Sequence, residues 1–278
     1  MTVAKQLPGF EERRAEVRGT RLRYFVGGSG RPVVLVHGLG GAAVNWLGVA
    51  PALADEHRVL VPDLPGHAGS SPVPALPNLA PFADVVHELA VREEALPAVV
   101  VGHSLGAVVA IRHAVRYAAD TRAVVLAGAA GIRSSTRFAE IALALTAFAK
   151  PGRRLAPMRG RIARSPWLRA LVFGGWGASN PAALRPELAE ALLADAALHT
   201  DVTSAAAALV ADDPRTLLGG VRCPALVLWG ARDTQVFVAE AFEYARRLGA
   251  ELRVIADCGH LLVAERPDAC VDAVRALA

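Results

Sequence analysis

Four places where an apolar run gives way to glycine or polar residues hold groups that could do chemistry together. The run AVVVGH (98–103) ends in Gly102-His103-Ser104-Leu105-Gly106 and passes into the helical stretch AVVAIRHAV. Small residues around Ser104 permit a sharp strand-to-helix turn that lifts its hydroxyl above a sheet, with a helix N-terminus beneath any negative charge that develops. A serine hydroxyl is a weak nucleophile at neutral pH and needs a base to take its proton. His260, in Asp257-Cys258-Gly259-His260 after the last apolar run, is the candidate base. That base needs an anion to fix its tautomer and stabilise the imidazolium. Asp233, in Trp229-Gly230-Ala231-Arg232-Asp233, fits, the bland alternative being an Asx turn or a cap on the helix that follows. The fourth place is His37-Gly38-Leu39-Gly40-Gly41. Glycines there let backbone N–H groups face a ligand, so the N–H of Leu39 and the N–H of Leu105 are the expected donors to an oxyanion. The chemistry that such a set of groups could do is acyl transfer through a covalent intermediate on Ser104.

Residues spread over more than 150 positions must be brought to one end of a sheet. The runs at 33–38, 58–63, 98–103, 122–128, 225–230 and 251–259 are short, β-branched and nearly continuous in hydrophobicity, as strands covered on both faces are. Helical patterns at 45–56, 79–94, 105–118, 236–248 and 266–277 separate them. The alternation predicts an α/β fold with a doubly wound, mostly parallel sheet, which binds ligands beyond the carboxyl ends of its strands. ERRAEVRG and TRLRYFVGG, around Gly19-Thr20, read as an antiparallel hairpin ahead of it. From 131 to 215 the strand signals vanish, and an Ala-, Leu- and Arg-rich stretch reads as four or so short helices. The expected organisation is one core domain from 1–130 and 216–278, with 131–215 inserted over one end of the sheet.

Composition narrows the function. Hydrophobic residues make up 53% and charged residues 20% of 278 positions, enough for one large buried core. The net charge of +4 comes from 30 Lys+Arg against 26 Asp+Glu, spread mostly as isolated arginines with no basic run interleaved with aromatics. Nucleic acid is therefore not an expected partner. Cys223, Cys258 and Cys270 form no CxxC pair and leave an odd thiol, which argues against a disulfide framework or a zinc site and fits a reducing, cytoplasmic compartment. The start MTVAKQLPGFEERR lacks the apolar stretch of a secretory signal. No apolar run is long enough to span a bilayer without polar interruption, so no membrane association is expected.

HGLGG, DLPGHAGSS, GHSLGA, WGARD and DCGHLLVAERP, in that order over nearly the whole chain, resemble the α/β-hydrolase superfamily, in particular its serine esterases with a helical cap. The resemblance implies that 131–215 is that cap, its inner face shaping an acyl or alcohol pocket. It also implies that Asp63 and His67, in a segment with Ala68 where the family usually has glycine, are loop architecture. Epoxide hydrolases and haloalkane dehalogenases, which resemble the chain in layout, carry Asp at the position of Ser104. Hydrolases of carbon–carbon bonds in ring-fission products typically have Asn before the nucleophile and Trp after the histidine, where this chain has His103 and Leu261. A carboxylic ester hydrolase acting on a small molecule, without metal or organic cofactor, is the leading expectation, with thioesters and lactones close by. A ring-fission or cofactor-free haloperoxidase-like enzyme, or a small-molecule receptor on the same fold, remain the open alternatives.

Trp46, His103, Trp167, Phe173 and Trp176 are the candidates for lining a pocket, each of them equally compatible with packing. Arg153, Arg154, Arg159, Arg161, Arg164 and Arg169 read as a solvated helix face in preference to a guide for anionic substrates.

Overall fold

The structure, a computed structural model, describes residues 7–132 and 151–278. Eight strands form one sheet: β1 (Glu11–Val17), β2 (Thr20–Gly27), β3 (Arg31–Val36), β4 (His57–Pro62), β5 (Ala98–His103), β6 (Thr121–Ala127), β7 (Ala225–Gly230) and β8 (Glu251–Ile255). Their order is β1-β2-β4-β3-β5-β6-β7-β8. The hairpin β1–β2 is antiparallel and joins β4 antiparallel, and every pairing from β4 to β8 is parallel.

The continuous hydrophobicity of the central strands follows from burial on both faces. Val34, Val36, Val100, Val124, Leu126, Val227 and Trp229 point into one core cluster, and their neighbours Val33, Leu35, Val99, Val101, Val125, Leu226 and Leu228 into the other. This is the period of two that a pleated strand imposes. Against the first face pack α2 (Ala80–Arg92), α3 (Leu105–Arg116) and α9 (Val238–Leu248). Against the second lie α1 (Ala50–Ala54), the short α10 (Leu262–Glu265) and α11 (Pro267–Arg275). The fold is thus doubly wound, as expected. Two boundaries differ from expectation. The helical signal at 45–56 is split into a 3-10 turn (Ala43–Gly48) and α1, because Pro51 has no N–H to continue a ladder and starts a new helix instead. The last strand stops at Ile255, where Ala231 N–H takes the Ile255 carbonyl and Arg232 N–H that of Cys258, turning the chain across the end of β7.

Between β6 and β7 the described residues carry α4 (Pro151–Leu155), α5 (Arg159–Arg164), α6 (Pro166–Gly174), α7 (Pro186–Ala194) and α8 (Val202–Val210). The expectation of helix for 133–150 lies outside the described residues. Ile162, Phe173, Leu184, Leu188 and Leu193 form a small core of their own that closes on Leu261 and Ala264, just beyond His260. Ala205, Ala208 and Leu209 of α8, by contrast, join the main core. Of the six arginines expected to form a solvated face, Arg169 is instead turned inward and donates to the carbonyls of Ala163 and Ala182, both at 2.5 Å. Among the described residues no helix is long and apolar enough to cross a membrane.

Candidate active site

Ser104 stands at the turn from β5 to α3 with φ 54° and ψ −117°, a conformation that costs a non-glycine residue on the order of 1–3 kcal/mol. The flanking glycines explain why the turn closes. A Cβ on Gly102 would lie 2.2 Å from the Gly106 carbonyl oxygen, and one on Gly106 would lie 2.3 Å from that of Val36. Ser104 N–H donates to Ala127 O at 2.9 Å, which ties the turn to β6.

His260 Nε2 is 3.1 Å from Ser104 Oγ, and its Nδ1 is 2.8 Å from Asp233 Oδ2. The carboxylate is fully buried and uses its two oxygens differently. Oδ1 accepts the N–H groups of Gln235 and Val236, each at 2.8 Å, while Oδ2 faces the imidazole. The turn-forming and the histidine-orienting readings of Asp233 therefore coexist in one side chain. A carboxylate can only accept, so Nδ1 carries the ring proton and Nε2 is bare toward the hydroxyl.

The glycine loop after β3 lies against the serine: a Cβ on Gly38 would be 3.1 Å from Ser104 Cβ. Gly41 N–H closes on Gly38 O at 3.0 Å and Gly40 has φ +66°, a turn whose third residue favours glycine. His37 fixes the turn from below. Leu64 N–H donates to its Nε2 at 2.9 Å, so the proton lies on Nδ1 and is donated to Gly38 O at 2.8 Å. Leu39 N–H and Leu105 N–H, the latter in the first turn of α3, donate to no backbone or side-chain acceptor among the described residues.

The expected pocket-lining residues fare differently. Trp46 and Phe173 have no accessible surface; Trp46 packs in the second core face and Phe173 edge-on against Trp176, so both are corrected to packing residues. Trp167 is 70% exposed on α6 and lies outside the small helical core, in solvent instead of against a pocket. Trp176 is half-buried beside Gly177, whose carbonyl accepts His260 N–H at 2.7 Å. His103 is engaged by the backbone: its Nε2 donates to the His260 carbonyl at 2.8 Å. Chain type alone does not distinguish these surroundings.

Burial pushes His37 down to about 3 and His103 down to about 4, the latter also because His260 lies beside it. Because the unfolded chain binds protons at these sites near 6.5 and the folded chain does not, stability is present above 6.5 and is lost as pH falls through it. Going from about pH 7.5 to about pH 5 is expected to cost about 2 kcal/mol for each ring, read as a lower urea midpoint at unchanged slope.

Several contributors carried no signal in the sequence. Gly128, at the end of β6 with φ +52°, would put a Cβ 3.5 Å from His260 Nδ1. Glu265, visible only as one letter of a familiar run, accepts the N–H groups of Ser179 at 2.7 Å and Gly259 at 3.1 Å, joining the helical segment to the histidine loop; burial raises its pKa. His199, Arg23 and Asp195 form a further network described below. Among the described residues no cluster of His, Cys, Asp and Glu suits a metal ion.

Sheet order, strand-to-helix turn and the meeting of serine, histidine and aspartate at the strand ends together define the layout of an α/β hydrolase. The chain belongs to the alpha/beta hydrolase family, whose model matches residues 33–273. It is 32% identical over 224 residues to the pimeloyl-(acyl-carrier protein) methyl ester esterase of Chromobacterium violaceum, covering 74% of this chain and 77% of that one. It is 31% identical over 287 residues to the dihydrolipoyllysine-residue acetyltransferase component of the acetoin cleaving system of Pseudomonas putida, covering 94% of this chain and 68% of that one. Among solved structures, a thermophilic esterase from Thermogutta terrifontis matches with a TM-score of 0.76 and 25% identity, over 96% of this chain and 97% of its own. The enol-lactonase of Burkholderia xenovorans LB400 matches with a TM-score of 0.75 and 25% identity, over 95% and 99%.

Proposed function

We propose that this protein hydrolyses a carboxylic ester, or a thioester or lactone, of a small molecule through an acyl-enzyme on Ser104. The observation that carries the reading is the continuous line from Asp233 Oδ2 through His260 to Ser104 Oγ at 2.8 and 3.1 Å, set on a strained turn next to two N–H groups. Ser104 Oγ attacks the carbonyl carbon while His260 Nε2 takes the hydroxyl proton, and the N–H groups of Leu39 and Leu105 bind the oxygen as it becomes anionic. Collapse expels the alcohol, which takes its proton from His260. Water then attacks the acyl group with His260 again as base, freeing the acid and regenerating Ser104. The helices from α4 to α7 act as a cap over the strand ends. The route calls for no metal or organic cofactor, nucleic acid or membrane. The esterase and lactonase relatives support the substrate class, and the three free cysteines support a reducing, cytoplasmic setting.

Incubation with a fluorophosphonate, followed by peptide mapping, is expected to label Ser104 stoichiometrically, and p-nitrophenyl esters of increasing acyl length are expected to turn over repeatedly. Labelling at another residue, or none, would remove the serine mechanism. Labelling with a single acylation and no turnover would favour a receptor.

A further inference from the structure

Between α7 and α8 the chain comes back to the body at Asp195 to Asp201. The Asp195 carboxylate meets the buried Arg23 guanidinium, which also holds Asp63 at 2.5 Å. Thr200 N–H and Asp201 N–H both donate to Gly66 O, at 2.9 and 3.0 Å. His199 is thereby clamped between the loop after β4 and the glycine turn after β3. Ala68 N–H donates to its Nδ1 at 2.8 Å. An amide N–H can only donate, so the proton of the neutral ring lies on Nε2, which is 2.9 Å from the Gly40 carbonyl oxygen. Burial lowers the pKa of the ring, keeping it in this neutral form.

The bonds beyond Gly40 run in series. The Gly40 carbonyl shares a peptide group with Gly41 N–H, which donates to Gly38 O, and the Gly38 carbonyl shares a peptide group with Leu39 N–H. Each peptide group is planar and rigid, so the direction of Leu39 N–H depends on where Gly40 O is held as well as on the His37 donation to Gly38 O. Bonds aligned head to tail also polarise one another. Leu39 packs against the main core, but Gly40 itself is not held by packing, since a Cβ there would meet nothing within 4 Å.

We infer that His199 is a positioning residue for the oxyanion site, aiming and polarising Leu39 N–H through two peptide groups, so that docking of the helical segment is felt in the transition state and not in substrate binding. This rests on the serine-hydrolase reading, and the test separates the two. Wild type, His199→Ala, His199→Phe and His199→Gln are compared for p-nitrophenyl ester turnover and for inhibition by a trifluoromethyl ketone. In that adduct Ser104 Oγ bonds to the ketone carbon, the carbonyl π pair moves to oxygen, and the hydroxyl proton passes to His260, leaving an oxyanion where the ester would.

His199→Ala is expected to lower kcat by about 10- to 100-fold with little change in KM, and to weaken the ketone by the same factor. His199→Phe, which fills the space without a donor, behaves likewise and carries the test if the alanine variant does not fold. His199→Gln, whose Nε2 lies as many bonds from Cβ as the histidine Nε2, recovers most of both. Variants that match an active wild type, or lose kcat without losing ketone affinity, would overturn the positioning role alone. A wild type that neither turns over esters nor binds the ketone would overturn the serine reading and this role with it.

Discussion

Replacing Ser104 by alanine is expected to lower kcat for any accepted ester by about four to six orders of magnitude while leaving the folded structure in place. The loss is large because, in the proposed mechanism, Ser104 Oγ is the one atom that forms the covalent bond, and His260 Nε2 at 3.1 Å has no other hydroxyl in reach among the described contacts. His260→Ala is expected to fall about as far, and the double variant no further, because nucleophile and base act as a unit. What survives is the slow reaction helped by bound geometry and the two oxyanion donors. Stability is expected to stay close to wild type, since alanine at this turn inherits the same positive φ that serine tolerates. Steady-state rates of the three variants, with urea melts alongside, check both halves of the expectation.

The second large effect concerns folding. Arg23, on β2, is buried and bridges two carboxylates, Asp63 through Nε at 2.5 Å and Asp195 through its second terminal nitrogen. Asp63 is buried as well and spends its remaining capacity on Ala43 N–H at 2.7 Å and Gly69 N–H at 3.1 Å. Arg23→Ala leaves both carboxylates without their cation in a region water does not reach. Removing one partner of such a pair costs about 3–5 kcal/mol, more than the pair itself contributes when intact, because the remaining charge stays desolvated. A fall of that size in urea-derived stability is expected, with greater protease sensitivity around residue 195 as the helical segment loses its hold on β2. A loss below about 1 kcal/mol would mean that water reaches the site.

What could be read from the chain follows physical rules that act over short distances. The parallel strands were legible because both their faces are buried, which removes polar residues from the run. Ser104, Asp233 and His260 were legible as candidates because Ser104 directly follows such a run and the other two lie in the short loops after β7 and β8, and the strand ends of one sheet must converge. The turn that carries Leu39 N–H was legible through its glycines. His199, Arg23 and Asp195 were not, because their partners lie up to 172 positions away and a lone histidine in an alanine-rich stretch has no periodic or local signature. Trp46, Phe173 and Trp167 show the same limit from the other side. Aromatic type says that a side chain has area to bury, and says nothing about whether a core, a pocket or solvent receives it. The break after Gly48 has its local cause in Pro51, whereas the requirement for glycine at 48, where a Cβ would lie 2.9 Å from Pro267 Cβ, is a tertiary contact that no window of the sequence contains.

Three of the ties between the helical segment and the body share one property. Gly177 O takes His260 N–H, Ala191 O takes the Asn45 amide at 3.0 Å, and Gly66 O takes Thr200 N–H and Asp201 N–H. In each, the accepting atom belongs to the main chain, which every residue type supplies. At these points the seam does not depend on the side chain of the accepting residue, whereas Asp195, His199 and Glu265 tie it through their side chains. Side chains on α5 and α6 can therefore change without loosening these three main-chain ties, while the ties through Asp195, His199 and Glu265 constrain the residues that make them.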